Sequence, residues 1–229
     1  MSINLFYICL IFFATPVFAM DYVWLIGGGP DPANSQVSIE KNVIWVKDVL
    51  DRSPGDRDIR TYFNGGTGDA PDIVKGIDPA GNRLALHPLA RVFGQHRANG
   101  QVYRHNKVSG VDGTTRKKTL LSALKSDFSL VTDKDRVLIV FNGHGLKGKK
   151  SERENTVICV WDNTKISVRE FEEVLGGIPV DVPVRFVFPQ CFSGGFAGLV
   201  NPNAQNVLTL NRSVRCGFFA ESARRESEG

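Results

Sequence analysis

The chain predicts an α/β protein with a mainly parallel sheet covered by helices on both faces, and three observations carry that prediction. Compact apolar runs recur at Tyr22–Ile26, Ile59–Phe63, Val137–Phe141, Val157–Val160 and Val184–Phe188. Segments with apolar residues at helical spacing lie between several of them. The core runs lack two-residue alternation of apolar and polar residues, which marks strands buried on both faces, as in a parallel sheet between helix layers.

The chain begins MSINLFYICLIFFATPVFAMDY. Its apolar run, Ile3 to Ala14, is too short to span a bilayer comfortably. Pro16 and Val17-Phe18-Ala19 follow, with small residues where a signal peptidase needs them, so residues 1–19 are expected to be a secretory signal cleaved after Ala19. An uncleaved anchor is the alternative, since no Lys or Arg precedes the run. Cys9 lies inside the run and not at the cleavage point, which argues against a lipoprotein. The expected location is therefore periplasmic or extracellular, with no membrane attachment after cleavage.

YVWLI, Tyr22–Ile26, reads as a buried strand closed by GGGPDP. Val37 to Leu50 places Val43, Ile44, Val46, Val49 and Leu50 close to helical spacing. DRSPGDRD is a loop, and IRTYF, Ile59–Phe63, is a shorter strand. From Asp69 to about Gly113 there is little periodicity and much Pro and Gly, which predicts a long surface excursion with one short helix near Leu86–Phe93. Thr114 to Phe128 is helical, with Leu120, Leu121, Leu124 and Phe128 on one face. Asp133–Arg136 is a turn before the strand at Val137. In SVREFEEVLGG, Ser167 and Glu170 form a capping box, and Gly176-Gly177 stops the helix. Arg215–Ala220 is a candidate last strand.

At 229 residues the chain suits one domain, or at most two small ones. Hydrophobic residues make up 42% and charged residues 23%, which supplies an ordinary globular core. The net charge of +4 sits largely in the segments TRKK (Thr115–Lys118) and LKGKKSER (Leu146–Arg153). Neither interleaves aromatics, so both read as solvated loops, and no nucleic-acid partner is expected. Without the signal, Cys159, Cys191 and Cys216 remain. This odd count has no C-x-x-C spacing, so neither a disulfide framework nor a zinc site is expected. An exported chain with a leftover thiol raises the question of its use.

VLIVFNGHGLKGKK and VRFVFPQCFSGGF suggest that use. Each is an apolar strand that stops at a chemically active residue among glycines, His144 in the first and Cys191 in the second. Ligands of open parallel sheets bind beyond the carboxyl ends of the strands. The segment between the two residues is long enough for a crossover, so both side chains are expected at one rim of the sheet. Singly, a strand-end cysteine is a small core hydrophobe and a histidine between glycines a loop residue. Together they form a nucleophile and a proton carrier. An imidazolium beside sulfur lowers the thiol pKa. The N–H groups of Gly145 and Cys191 would converge as an oxyanion hole, and the bare glycines admit a close approach.

VLIVFNGHG and VRFVFPQCFSGG resemble the two signature strands of the caspase-like cysteine peptidases, the group of caspases, metacaspases, legumains and gingipains. The 47 residues from His144 to Cys191 are close to the ~50 of caspases. YVWLIGGGPDPANSQVSIEKNVIW resembles the first strand and helix of secreted bacterial members, and RCGFFAESARRESEG the segment after the catalytic strand. The resemblance implies a three-layer caspase-like fold over residues 20–229. It implies a cysteine endopeptidase with catalytic His144, Cys191 and Gly145, acting on protein or peptide substrates with no cofactor and no metal. Gln190, Ala220, Glu221 and Ser222 would lie at the substrate. Two features depart from the family. Pro189 stands where many members carry an acidic or amide residue that selects the side chain before the cut. The chain also ends at Gly229, where the family fold usually continues with a helix and strand. The alternative is a caspase-fold binding or scaffold protein without activity.

Other motifs are set aside. GGGPDP lacks dinucleotide-binding spacing. Ser193 does not sit in G-x-S-x-G. His87, His96 and His105 are nine apart, which fits no zinc pattern. Asp162 reads as a turn-capping carboxylate in preference to one that orients a catalytic group. LKGKKSER could also serve as a processing loop cut on activation.

Overall fold

The computed structural model describes residues 19–68, 70–76, 101–200 and 215–224. Five parallel strands form the central sheet in the order β2-β1-β5-β8-β9. They are β1 (Asp21–Gly28), β2 (Arg57–Phe63), β5 (Arg136–Leu146), β8 (Val184–Phe188) and β9 (Arg215–Phe219). A small antiparallel pair, β3 (Ile73–Gly76) and β4 (Gln101–Arg104), stands apart. The sheet is thus α/β and mostly parallel. The short helix expected near residues 86–93 lies outside the described residues, as does nearly all of the expected signal segment. β3 and β4 themselves fall inside the stretch that sequence patterning leaves as an excursion.

Helices cover both faces. Helix α1 (Val37–Arg52) packs Ile39 and Val43 with Leu25, Phe63, Ile73 and Val140. On the opposite face α2 (Lys117–Phe128) and α3 (Val168–Leu175) bury Leu120, Leu124, Phe128, Phe171 and Leu175 against Trp24, Ile139, Phe141, Phe186 and Phe188. α2 starts three residues later than its apolar pattern, because Thr114 and Thr115 turn their hydroxyls onto the Asn64 carbonyl at 2.8 and 3.2 Å. α3 begins with the expected capping box: the Ser167 side chain accepts from the Glu170 N–H, and the Glu170 carboxylate accepts from the Ser167 N–H.

One buried carboxylate ties this second layer to the sheet. Asp127 accepts from Trp24 Nε1 at 3.0 Å, Tyr62 Oη at 2.8 Å and Arg60 Nη1 at 2.7 Å. A buried carboxylate is tolerable with this many donors. Burial, and then the Asp127 hydrogen bond and charge, push the Tyr62 phenol above its ordinary range.

β5 is the longest strand, and its length decides where the chemistry can sit. It does not stop at Phe141 but runs through Asn142-Gly143-His144-Gly145 to Leu146. β8 ends earlier, at Phe188, where Pro189 has no N–H to continue the ladder. β5 keeps an edge beyond that point that needs hydrogen-bond partners. Beyond the last couples of β5 with β1 and β8, the hairpin β6 (Val157–Val160) and β7 (Thr164–Ser167) pairs antiparallel with His144, Gly145 and Leu146. The turn between β6 and β7 uses left-handed Asp162 and Asn163. Among the described residues no helix is long and apolar enough to cross a membrane.

Candidate functional site

From β1 the chain passes through α1 to β2 on one side; from β2 it returns across to β5 on the other. The carboxyl ends of β1 and β5 therefore flank the switch point where parallel α/β sheets bind ligands. His144 stands there. It is half-buried and lies within a paired strand, not beyond one.

Cys191 comes to the same strand end. β8 stops at Phe188, and three residues on the Cys191 backbone packs on Gly145, the residue after His144. Cys191 is half-buried and the chain turns immediately after it, at Phe192 with φ of 58°. Its approach strand is anchored by aromatics. Phe188 is fully buried, with ring centroids 5.1 Å from Phe196, 5.8 Å from Phe171 and 6.1 Å from Phe141.

Gly145 joins the two strand ends. A Cβ there would be driven onto the carbonyl oxygen of Cys191 and would lie 2.8 Å from Gln190 Cγ. The space that glycine frees is thus filled by the protein's own Cys191 backbone. Gln190 is buried beside it, and neither of its amide atoms has a hydrogen-bond partner among the described residues. The remaining residues expected at the substrate sit close by. Ser193 is fully buried; its Oγ accepts from the Glu221 N–H at 3.1 Å and lies 3.3 Å from the Glu221 carbonyl, to which its O–H donates. The Ala220 N–H reaches the Phe188 carbonyl at 3.4 Å, and Ala220 and Ser222 are exposed. Ser193 is therefore a fastener that holds the segment after β9 beside Cys191.

The orientation of His144 comes from residues that sequence patterning does not single out. Its Nε2 lies 2.8 Å from the Asn34 carbonyl oxygen and 2.9 Å from Gln36 Oε1. A carbonyl oxygen only accepts, so Nε2 carries the proton and Nδ1 holds the lone pair of the neutral ring. The loop that supplies these acceptors is fastened from below. Asn64 Oδ1 accepts from the Gly29 N–H at 3.0 Å and from Ser35 Oγ at 2.8 Å. Its Nδ2 donates to the Asp72 carbonyl and to Asp72 Oδ2, both at 3.1 Å. Asp72 in turn accepts from the Asn106 N–H at 2.7 Å. Asn64 is fully buried with φ of 42°, a left-handed position that asparagine tolerates. The available signals are polar residues straight after strands: PANSQ after β1 and NGG after β2.

Cys159 is a second thiol near the site. It sits directly across the ladder from His144. It is buried, and burial pushes its thiol up; Lys165 opposes the shift and the neighbouring Cys191 adds to it. A thiol held protonated in this way is a poor nucleophile. Cys159, Cys191 and Cys216 form no disulfides. Asp162 is exposed and pairs with Arg116. His105 is exposed, and His87 and His96 lie outside the described residues. Among the described residues no cluster of His, Cys, Asp and Glu could hold a metal ion.

No protein-family model and no curated protein matches the chain. Among solved structures it is similar to protein GSU0716 from Geobacter sulfurreducens, at 10% sequence identity and a TM-score of 0.45. That match covers 75% of this chain and 50% of the other, so the chain spans half the length of that protein.

Proposed function

We propose that the chain is an exported cysteine endopeptidase of caspase-like fold, with Cys191 as nucleophile and His144 as its proton carrier. The observation that supports this most is the packing of the Cys191 backbone on Gly145, next to His144 at the switch point, with His144 held by the Asn34 carbonyl. In this mechanism Nδ1 of His144 takes the thiol proton. The thiolate attacks the peptide carbonyl carbon, and the oxyanion is met by the N–H groups of Gly145 and Cys191. The imidazolium, stabilised through Nε2 by Asn34 and Gln36, then protonates the leaving amine as the C–N bond breaks. Water, deprotonated by the neutral ring, hydrolyses the thioester and returns the thiol. Cys159 stays outside this cycle as a buried, protonated thiol.

The test uses the full mature chain and acyloxymethyl-ketone probes bearing Asp, Asn, Arg or Lys, with the adduct mapped by mass spectrometry. Labelling at Cys191 that is lost in His144→Ala supports the dyad. A folded, reduced protein that no probe labels sinks it in favour of a scaffold without activity.

A further inference from the structure

The loop between β5 and β6 and the segment after β9 enclose a cavity of about 380 Å³ lined by Lys147, Gly148, Lys150, Arg153, Ala223 and Arg224. Four of these six residues are cationic and none is acidic or aromatic. Among the described residues no carboxylate pairs with any of the four. Glu152, in the same loop, is committed elsewhere: it binds Arg169 Nη1 at 2.9 Å and Asn155 Nδ2 at 3.3 Å. Glu154 lines a neighbouring depression that shares Arg153 with the cavity, and it pairs with none of the four. Four like charges around one concavity repel each other and are stabilised by an anionic occupant.

The two walls of the cavity continue from the segments that carry the proposed catalytic residues. Lys147 follows His144 by three residues, directly after β5. Ala223 and Arg224 belong to the segment that Ser193 fastens two residues beyond Cys191, and the backbone of residues 221–223 packs on Gly194. A chain lying across Cys191 would therefore pass the cationic wall within a few residues of the bond to be cut.

We infer that this cavity is a specificity subsite that takes a carboxylate-bearing side chain, so that the substrates are acidic peptide segments. The inference rests on the peptidase reading and names the substrate class for it. A peptide is favoured over a nucleic acid because the cavity has room for a side chain or two and offers no aromatic surface for stacking bases. The solvated-loop reading of LKGKKSER accounts for its polarity but not for its convergence with Arg224.

The experiment uses Cys191→Ala of the full mature chain, which binds without cutting. Two fluorescein-labelled peptides, identical except that the aspartates of one are asparagines in the other, are titrated by fluorescence anisotropy. The acidic peptide is expected to bind about tenfold more tightly, and the preference to disappear in a Lys150→Gln/Arg224→Gln background and to shrink as salt rises. Both substitutions are on the surface and leave the core untouched. Equal binding of the two peptides overturns the inference, and so does tighter binding of a single-stranded oligonucleotide of the same charge. A parallel digestion of a peptide library by the active chain separates the two readings. Cys191-dependent cuts without enrichment of Asp or Glu overturn the subsite and leave the peptidase standing. Absence of any cut overturns the peptidase and the subsite with it.

Discussion

Gly145→Ala is the sharpest perturbation of the proposed site, because one methyl acts on both catalytic strand ends. The added Cβ meets the Cys191 carbonyl well inside contact distance, and Gln190 Cγ at 2.8 Å. The side chain of Gln190 can rotate, but the Cys191 backbone cannot yield without shifting the end of β8. To regain ordinary van der Waals separation it must retreat by more than about 1 Å. Overpacking of this kind costs ~1–3 kcal/mol of stability. A displacement of ~1 Å at a reacting group costs about a hundredfold in rate. The assay pairs urea denaturation with kcat/KM on a peptide substrate and the rate of Cys191 alkylation. Gly198→Ala is the control, since a Cβ there meets nothing within 4 Å. If Gly145→Ala cuts and alkylates at the wild-type rate while Gly198→Ala behaves the same, Cys191 is not seated against Gly145 and the site geometry is refuted.

Gln36→Ala removes one of the two acceptors at His144 Nε2 and is expected to lower kcat about tenfold with KM little changed; an unchanged kcat shows that the Asn34 carbonyl alone orients the ring. Phe188→Ala empties the aromatic cluster beneath Cys191 and should cost ~3–5 kcal/mol, read from the urea midpoint. Ser167→Ala breaks the capping box of α3 and should cost ~1 kcal/mol. Burial pushes Glu40 up, but the Arg104 hydrogen bond, the Lys107 N–H and the two positive charges outweigh it and hold the carboxyl below its ordinary value of 4.5. A depressed carboxyl stabilises the fold above its ordinary value, and that contribution is lost as pH falls through the lower, folded value. Arg104→Ala should therefore destabilise more at pH ~7 than at pH ~3, in chemical denaturation at the two values. A loss equal at both would remove the Glu40 linkage.

Much of the sheet is legible from local pattern. β1 and β5 are apolar runs because each is buried on both faces, whereas β8 buries Val184, Phe186 and Phe188 on one face and leaves Arg185 exposed on the other; GHG and PQC stand out because polar and glycine residues interrupt such runs where the strand reaches a rim. α3 is legible for an equally local reason, its Ser167–Glu170 box. The apolar positions of α1 are less reliable guides: Trp45 is 64% exposed, while the charged Glu40 is buried, because Arg104 and the Lys107 N–H come from a distant segment to meet it.

β3, β4 and β7 escape notice because each is four residues with only one or two apolar side chains, unlike the wholly apolar β6. The extension of β5 through His144 escapes because it depends on pairing with β6, a strand from later in the chain. Asn34, Gln36 and Asn64 are ordinary loop polar residues until the fold brings a carbonyl from position 34 to an imidazole at position 144. The cationic cavity shows in sequence only as a basic loop; Arg224 joins it through Ser193 and β9. The identity of the nucleophile and its proton carrier rests on residue type and neighbours along the chain, so pattern alone can nominate them. Their approach at Gly145, the tautomer of His144 and the convergence of the basic loop with Arg224 depend on contacts between distant parts of the chain, and only packing sets those.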